Sequence, residues 1–563
     1  MLNKTIVTIF ANSQVMVRAS LVVWFASSLL GWLSVSASVG HAASQAGPPP
    51  LFDNLGTLHH EITTTSELAQ RYFDQGLRLV YAFNQEEAIL SFQEAARQDP
   101  GAAMAYWGIA LASGPNINAP MSKEDGRRAI DAIQKARAHA KTVSEEEQAY
   151  IDALSKRYLS ARKATRASLD AAYAEAMRTV WRRYPHDPDA GTLFAEALMD
   201  LRPWDLWTPD GKPKSGTAEL VSVIERVLEQ HPNHPGACHY YIHAVEASPH
   251  PERALACAER LPSLMPGAGH LVHMPAHIYI RLGMYHEAAE RNEHATQVDH
   301  AYLTTRTPKG DYADGYYSHN LHFLWASLMM EGRSAEATKV ARELVKTITE
   351  QEVRTDKWKE LYLPAPLFSL IRFGRWDELL REPPPPKGLE LSDGMWRLGR
   401  GMALASTGRL PGAEGEHYAL ANLTKQIRRD RSHEDKIARA LLKIAERMLA
   451  GEIAARRQRY DDAIRALKEA LKLEDSLPYA EPAHWPLPVR QYLGTVLLLA
   501  GRPAEAEAQY KADLTRNPEN GWALFGLVQS LRAEQNDAAA EIEEARFTKA
   551  WTHADVTLTA SRF

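Results

Sequence analysis

Cysteine is scarce in this sequence. Cys238 and Cys257 are the only two cysteines among 563 residues. Two thiols are too few for a disulfide-rich scaffold, although they could form one bridge in an oxidising compartment or simply fill small buried positions. A strong excess of one charge is missing too, because the formal net charge is -5. This balance gives no reason to expect nucleic acid as a partner.

The short motifs of common enzyme classes are also missing. The sequence has no His-Glu-x-x-His zinc-protease motif, no nucleophile elbow and no glycine-rich phosphate loop. Whether the protein is an enzyme therefore stays open at this point.

Long hydrophobic runs are confined to the N-terminus. Lys4 and Arg18 are the only charged residues before an apolar run that spans Leu21 to Val35. The segment Gly40-His41-Ala42 after this run offers a small-residue cleavage site. This pattern predicts a signal peptide cleaved after Ala42, and therefore a periplasmic or secreted protein. A retained membrane anchor is the alternative, but the run is short for a bilayer span. No later stretch is long and apolar enough for a membrane helix, so we expect no stable membrane insertion after cleavage.

Amphipathic helical patterns recur along the rest of the chain, and β-type alternation is scarce. A short phrase, usually containing Gly and ending in Ala, interrupts them at 82–88, 282–288, 331–337, 407–413, 457–463 and 500–506, with a degenerate copy at 373–379. Glycine in such a phrase can end one helix in the left-handed conformation, and alanine lets the next helix pack closely. The phrase therefore predicts a turn between antiparallel helices, and a repeating helical hairpin.

Three segments, 69–102, 235–268 and 487–520, fit a period of 34 residues. This spacing resembles the tetratricopeptide repeat (TPR) family. The residues that match its pattern are Gly76, Ala88, Phe92, Ala95, Pro100 and Gly494. The resemblance covers most of residues 67–550 and implies an all-α fold, a TPR-like α-solenoid built as a superhelix of antiparallel helix pairs. The chain is also similar to exported bacterial TPR proteins of unassigned activity with a His-rich central segment, which implies architecture but no reaction.

These patterns divide the chain into five parts. They are a signal peptide (1–42), a linker and N-terminal extension (43–66), N-terminal helical repeats with a Trp-rich loop (67–230), His-rich central TPR repeats (231–345), and C-terminal TPR repeats with a capping helix (346–563). In the Trp-rich loop Trp204 and Trp207 flank Asp205. This loop either seals a junction between repeats or forms a lid over a pocket.

Histidine is concentrated in the central repeats, where 13 of the 22 histidines lie between His231 and His322. Counted back from the packing alanine of each hairpin, they recur at offsets of 18, 15 and 11 residues. Steps of three and four residues place side chains on one face of a helix. The histidines at these offsets are His239, His243, His270, His273, His277, His319 and His322.

In the TPR family the first helix of each pair lines the concave groove, so the resemblance implies that these histidines point inward. Neighbouring helices are about 8–10 Å apart, and only adjacent helices can share one ion. We therefore predict a primary site of His239, His243, His273 and His277. A second position is open between His270, His273, His319 and His322, with Glu246 as a ligand or as an acceptor behind the ligands. Imidazoles without thiolate suit Zn, Cu, Fe or Ni.

Other residues are weaker candidates for contacts with a substrate or partner in the groove. Asn116 and Asn118 lie in a rigid polar loop, and His59 and His60 precede the first repeat. The Trp-rich loop completes this set.

Two functions follow from these observations. The first is an exported TPR protein that binds a transition metal through histidines of consecutive repeats, with an open coordination position that could support an enzymatic reaction. The alternative is a periplasmic adaptor that holds a protein, peptide or small molecule in its groove without metal. Metal storage or delivery would need several exchangeable sites.

Overall fold

The computed structural model describes residues 47–158, 164–306, 312–426 and 432–563, so the predicted signal peptide lies outside the described residues. Within these ranges the chain forms helices and no strand, and its β-type pairing is limited to one isolated bridge between Trp207 and Pro213. The predicted all-α fold is confirmed. No helix in the described ranges combines the length and the apolar character that a membrane span requires.

The helices of the first half are α1 (Glu67–Tyr81), α2 (Gln85–Gln98), α3 (Ala103–Ala112), α4 (Lys123–His139), α5 (Glu145–Tyr158), α6 (Arg166–Arg183), α7 (Pro188–Met199), α8 (Thr217–Gln230), α9 (Pro235–Val245), α10 (Leu255–Leu264), α11 (Gly269–His273) and α12 (Pro275–Leu282). Short 3-10 turns lie at Ala140–Thr142 and Pro251–Ala254.

The helices of the second half are α13 (Tyr285–Arg306), α14 (Tyr317–Glu331), α15 (Ser334–Lys346), α16 (Glu350–Thr355), α17 (Ala365–Arg372), α18 (Trp376–Arg381), α19 (Glu390–Ser406), α20 (Leu410–Gln426), α21 (His433–Arg456), α22 (Tyr460–Asp475), α23 (Val489–Leu499), α24 (Pro503–Arg516), α25 (Gly521–Ala533) and α26 (Asp537–Ala550). A π turn (Tyr312–Tyr316) precedes α14, and a 3-10 turn lies at Lys357–Leu361.

All copies of the repeated phrase lie at turns between successive helices, as predicted. The second residue of every copy has a positive φ, and glycine occupies this position in most copies. Phe83 (φ 57°) and Gln458 (φ 59°) are the exceptions. A left-handed conformation costs a residue with a side chain about 1–2 kcal/mol. Contacts elsewhere must therefore hold Phe83 in place.

Aromatic rings fill the space that glycine leaves between neighbouring helices. The ring of Phe92 on α2 packs against Gly76 of α1 and Gly108 of α3, and Tyr510 on α24 packs against Gly494 of α23. A Cβ atom at Gly76 would lie 2.6 Å from the Phe92 ring, and one at Gly494 would lie 2.5 Å from the Tyr510 ring. The glycines matched to the TPR pattern therefore allow close packing of helix pairs.

The helix array folds back on itself around the central repeats. Gly236 of α9 lies against the ring of Tyr81 at the end of α1, where a Cβ atom would come within 2.4 Å. Trp522 of α25 donates a hydrogen bond to the Met329 carbonyl of α14 (3.0 Å). In the segment between α22 and α23, Tyr479 contacts Glu246, which directly follows α9 (3.3 Å). Distant parts of the chain therefore pack against the histidine-bearing helices.

Cys238 of α9 and Cys257 of α10 are both buried free thiols. A hydrogen bond with Cys257 and burial both raise the pKa of the Cys238 thiol. Cys238 is therefore a neutral packing residue in this structure, and no disulfide joins it to Cys257.

The packing of Phe92 predicts opposite effects for two glycine-to-alanine substitutions. In Gly76→Ala the new methyl group meets a ring that Gly108 confines from the other side, so we expect a net loss of about 1–2 kcal/mol of unfolding free energy. In Gly415→Ala, within α20, no atom lies within 4 Å of the new Cβ. Higher helix propensity should then stabilise the protein by up to about 1 kcal/mol. Thermal unfolding measures both, and an unchanged or higher Tm for Gly76→Ala would contradict the packing.

Candidate metal centre

Three buried histidines of α9 and α11 form a first triad. Nitrogen atoms of His239, His243 and His270 all lie within 4.8 Å of one another. The Nε2 atoms of His239 and His270 are 3.1 Å apart. The side chains are at most 3 % exposed, so water cannot solvate these nitrogens freely.

Hydrogen bonds at Nδ1 fix the tautomers of two members of the first triad. The Nδ1 atom of His239 lies 2.7 Å from the Tyr81 carbonyl oxygen, and that of His243 lies 2.8 Å from Glu246 Oε1. Both oxygens can only accept, so each Nδ1 carries the proton and each Nε2 keeps its lone pair. The Nε2 atom of His243 is buried without a hydrogen-bond partner among the described residues.

His270 leaves a further buried nitrogen unsatisfied. Its Nε2 atom faces His239, and its Nδ1 atom is buried without a hydrogen-bond partner among the described residues. Burial and the neighbouring charge of His239 lower the pKa of His270 well below its usual value, so the ring is neutral. An ion bound to the three Nε2 atoms would satisfy the inward-facing nitrogens of His239, His243 and His270 together.

A second triad consists of His273, His277 and His319, from α11, α12 and α14. The Nε2 atoms of His273 and His277 are 2.8 Å apart. His273 donates from Nδ1 to Asn292 Oδ1 (2.7 Å), and the Asn292 amide group itself donates to the Ala288 carbonyl (2.7 Å). The amide orientation is therefore fixed with its oxygen toward His273.

His277 is held in the same way by Glu246. Its Nδ1 atom donates to Glu246 Oε2 (2.7 Å). Both His273 and His277 thus carry their proton on Nδ1, and two lone pairs meet at 2.8 Å. Such a contact needs a cation between the rings, either a proton or a metal ion. Burial and the charges of His277 and His319 lower the pKa of His273 well below its usual value, which disfavours a proton held by His273 itself.

Glu246 connects the two triads. One carboxylate oxygen accepts from His243 and the other accepts from His277. Burial alone would raise the pKa of Glu246, but the electrostatic interactions and hydrogen bonds with His277 and His243 outweigh it and lower the pKa to about 2. The carboxylate is therefore ionised and lies behind the rings, as an acceptor that orients metal ligands.

Tyr479 and Glu481 lie close to Glu246, in the segment between α22 and α23. The sequence patterns did not predict either residue as part of the site. The Tyr479 hydroxyl donates to Glu246 Oε2 (3.3 Å), and Tyr479 also bonds to Glu481. Burial and the charge of Glu246 raise the pKa of Glu481 well above its usual value, so this second carboxyl group is protonated. No repeat pattern marks these residues, because they lie more than two hundred positions from Glu246 in the sequence.

Aromatic rings pack against both triads. Phe83 contacts the first triad, with ring centroids 4.5 Å from His239 and 5.6 Å from His270. Phe323 contacts the second triad, 4.6 Å from His273 and 4.5 Å from His277. The imidazoles therefore lie in apolar surroundings, which strengthen any electrostatic interaction with an ion.

The grouping of the ligands differs from the predicted primary site. His239 and His243 belong to one triad, whereas His273 and His277 belong to the other. Pro275 cannot donate a backbone hydrogen bond, and the first helix of this repeat is divided into α11 and α12 at this point. His270 of α11 faces α9, with its Nε2 atom 3.1 Å from that of His239.

His322 does not join the cluster. Its ring stacks on Trp325 (5.3 Å) and lies against Tyr362 (4.9 Å). Burial lowers the pKa of His322 to about 3. His319 rather than His322 faces the second triad, with its ring centroid 4.9 Å from that of His273.

The histidines predicted to point into the concave groove are largely shielded from solvent. His319 is half-buried, and the other five triad members are buried. Because α1 and the segment between α22 and α23 pack against the central repeats, the histidines face an enclosed interior.

The Trp-rich loop covers the first triad. Trp204 has a φ of 59° and places its ring 5.4 Å from His243, although 41 % of Trp204 is exposed. Trp207 donates to the Ala244 carbonyl of α9 (2.8 Å), and Asp205 turns away to pair with Lys214. Trp204 therefore separates the triad from solvent, while Trp207 anchors the loop.

The other candidate contacts lie at different distances from the triads. Asn116 accepts from the Asn118 backbone (2.8 Å) and so closes its own turn. Asn118 donates to the Tyr316 hydroxyl (3.1 Å), and the Tyr316 ring lies 4.3 Å from His270. Asn118 thus reaches the cluster through Tyr316, whereas Asn116 does not.

His59 and His60 belong to a separate acidic network. His59 pairs with Asp74 and His60 pairs with Asp189, each at 2.8 Å. Tyr81 also donates its hydroxyl to Asp189. The predicted pair is therefore linked to the first triad through Tyr81 and is not part of it. Three other groups have donor atoms within 4.8 Å of one another, namely His243, Glu246 and His277, which spans the two triads, His60, Asp187 and Asp189, and His286, Glu331 and His553.

Comparisons with known proteins do not assign a function. No protein-family model matches the chain, and no curated protein matches it. Among solved structures, the chain is similar to the human IFIT1 dimer with m7Gppp-AAAA, at 12% identity and a TM-score of 0.32, with 87% of this chain and 91% of that chain covered. It is also similar to the human IFIT1 dimer with PPP-AAAA, at 13% identity and a TM-score of 0.30, with 86% and 91% covered.

Because His243 and His277 share the Glu246 carboxylate, Glu246→Gln should disturb metal binding. Glutamine can accept from only one of His243 and His277, and its amide group forces the other ring to move its proton to Nε2, where the proton blocks metal. We expect about 10–100-fold weaker metal binding in at least one triad. Competition with a chelator of known affinity measures this loss.

The matched control is Glu252→Gln, which alters an exposed carboxylate bonded to His250 Nδ1 (3.1 Å). We expect metal affinity to stay at the wild-type value in this variant. Wild-type affinity at both sites in Glu246→Gln would contradict the role given to the carboxylate.

Proposed function

We propose that this protein binds two transition-metal ions, one in each histidine triad, inside an exported helical-repeat scaffold. The observation that carries the proposal is the contact between His273 Nε2 and His277 Nε2 at 2.8 Å. Acceptors behind both rings hold the protons on Nδ1, so this contact is repulsive without a cation. The unpaired Nε2 atom of His243 supports the same conclusion for the first triad.

The donor atoms limit the choice of ion. Each triad consists of imidazoles alone, which suit Zn, Cu, Fe or Ni better than Mg or Ca. Three protein ligands also leave at least one coordination position open, as in catalytic rather than structural metal sites. The arrangement therefore supports binding of a small exogenous ligand to each ion.

Export is part of this proposal and rests on the predicted signal peptide. The expected mature protein begins at Ala43. N-terminal sequencing of protein expressed in a bacterial host with an intact secretion system measures this directly. A cytoplasmic product that retains Lys4 and Arg18 would contradict export without affecting the metal site.

Metal analysis of protein purified without a His-tag tests the binding proposal. We expect two ions per chain, one for each triad. His239→Ala and His319→Ala should each reduce the content to one ion, because each removes one ligand from one triad. His243→Ala combined with His277→Ala removes a ligand from both and should abolish tight binding.

His250→Ala is the matched control, because His250 is largely exposed and lies outside both triads. It should keep two ions per chain, and thermal unfolding should show that all variants fold. Wild-type protein that stays free of metal after challenge with Zn, Cu, Fe and Ni would sink the proposal. The metal-free adaptor would then be the remaining function, with partners bound outside the enclosed cluster.

A further inference from the structure

A further group with two histidines lies where α13, α14 and the segment after α26 meet. Donor atoms of His286, Glu331 and His553 all lie within 4.8 Å of one another. His286 is in the first turn of α13, Glu331 is the last residue of α14, and His553 follows α26. None of the three belongs to either triad, so the proposed function makes no use of them.

His286 and Glu331 are held at a separation that is close to the one required for two ligands of one ion. His286 Nδ1 lies 2.8 Å from Glu331 Oε1. Two donor atoms that are each about 2.0–2.1 Å from a tetrahedral ion are about 3.3 Å apart. The other carboxylate oxygen, Oε2, pairs with Arg333 (3.2 Å), so Oε1 is directed toward His286. A small movement would therefore let an ion replace the proton between the two atoms.

The segment that carries His553 is anchored on both sides of this residue. The ring of Trp551 packs against Gly332, where a Cβ atom would come within 2.6 Å of it. The Asp555 backbone donates to the Gly332 carbonyl (3.1 Å), and its carboxylate accepts from two backbone N–H groups at the start of α15 (2.6 and 2.9 Å). Because Gly332 directly follows Glu331, these contacts hold the His553 backbone beside the Glu331 carboxylate.

The His553 ring reaches the same ion after a change of side-chain rotamer. The ring stacks on His286, with centroids 3.8 Å apart and planes 4° apart. Stacked parallel rings do not point their lone pairs at one ion, so His553 has to rotate out of the stack. His553 is exposed and His286 is partly exposed, whereas the Glu331 side chain is only 3 % exposed. The rotation therefore leaves the buried contacts of Glu331 in place.

The donor set differs from that of the triads. Two imidazoles and one carboxylate are a ligand set of zinc sites that keep a fourth position for water. A second carboxylate, Glu290, lies one turn along α13, with Oε1 3.6 Å from His286 Nε2. The negative charges of Glu331 and Glu290 favour a divalent cation at this position.

We propose that His286, Glu331 and His553 bind a Zn2+ ion that joins the C-terminal segment to the hairpin of α13 and α14. Bonds form from the ion to His286 Nδ1, Glu331 Oε1 and one nitrogen of His553. The proton on His286 Nδ1 passes to water, and the ion gives up water ligands in exchange. Because solvent reaches both histidines, a weak chelator should empty this site, whereas the enclosed triads keep their ions.

Titration with Zn2+ alone tests the proposal on the full chain, after both triads are loaded with zinc and excess metal is removed. We expect one further Zn2+ per chain in isothermal titration calorimetry. His553→Ala and His286→Ala should each lose this binding while the triads stay loaded. His553 is exposed, so its substitution leaves the core unchanged.

His417→Ala is the matched control. His417 Nε2 lies 3.2 Å from Glu446, which makes a histidine–carboxylate pair like that of His286 and Glu331. No second histidine joins this pair among the groups of three possible ligands in the described residues. The control should bind the further Zn2+ with wild-type affinity.

Hydrogen–deuterium exchange distinguishes a bridging ion from one held by α13 and α14 alone. Added Zn2+ should slow exchange of the backbone amides of residues 551–556 in the wild type, because the ion restrains this segment. It should have no such effect in His553→Ala. No further Zn2+ in the wild type, equal binding by His553→Ala, or exchange that Zn2+ does not change would each overturn the proposal.

This site is independent of the two triads, and its test separates the two proposals. The variant with His243→Ala and His277→Ala should lose metal from both triads and still bind one Zn2+ that a weak chelator removes. Wild-type protein with empty triads that binds this single Zn2+ would contradict the proposed function alone. Protein with loaded triads that binds no further Zn2+ would contradict this inference alone.

Discussion

The hydrogen bonds from His243 and His277 to the two oxygens of Glu246 are the interaction on which the candidate site depends. A single ionised carboxylate fixes the tautomer of one ring in each triad. Because each Nδ1 donates to an oxygen, each Nε2 presents a lone pair to the interior. Tyr81 and Asn292 do the same for His239 and His273 with neutral oxygens. These hydrogen bonds at Nδ1 therefore orient the four rings before any ion enters.

The surrounding fold makes this arrangement rigid. Phe83 and Trp204 both contact the ring of His243, and both adopt left-handed backbone conformations, with φ values of 57° and 59°. Such conformations cost of order 1–3 kcal/mol and persist where many contacts determine the structure. The strain at Phe83 arises at a repeat turn where most other copies have glycine. Packing against the imidazoles accounts for its retention.

Much of this structure could be predicted from the sequence, because the signals are local. The repeated phrase marks helix turns through glycine and alanine, and the offsets of three and four residues place His239 and His243, or His273 and His277, on one helix face. The grouping of the ligands into two triads could not be predicted in this way, because it depends on contacts between helices. The grouping depends on which rings meet across different helices, where His270 contacts His239 and His319 contacts His273.

The sequence patterns did not predict contacts between distant segments of the chain. Tyr479 and Glu481 approach Glu246 because the array folds back on its centre, and nothing near them in the sequence indicates this. The same contacts enclose the histidines that were predicted to point into the concave groove. A chain that resembles a binding scaffold in its repeats therefore has its most distinctive chemistry buried between them.

Anomalous X-ray diffraction from crystals of the metal-loaded protein tests the central claim most directly. The account predicts two anomalous peaks per chain, each about 2.0–2.1 Å from the Nε2 atoms of one triad. Glu246 should remain bonded to His243 and His277 on the opposite sides of their rings. A single peak coordinated by the Glu246 carboxylate, or no peak within the cluster, would contradict it.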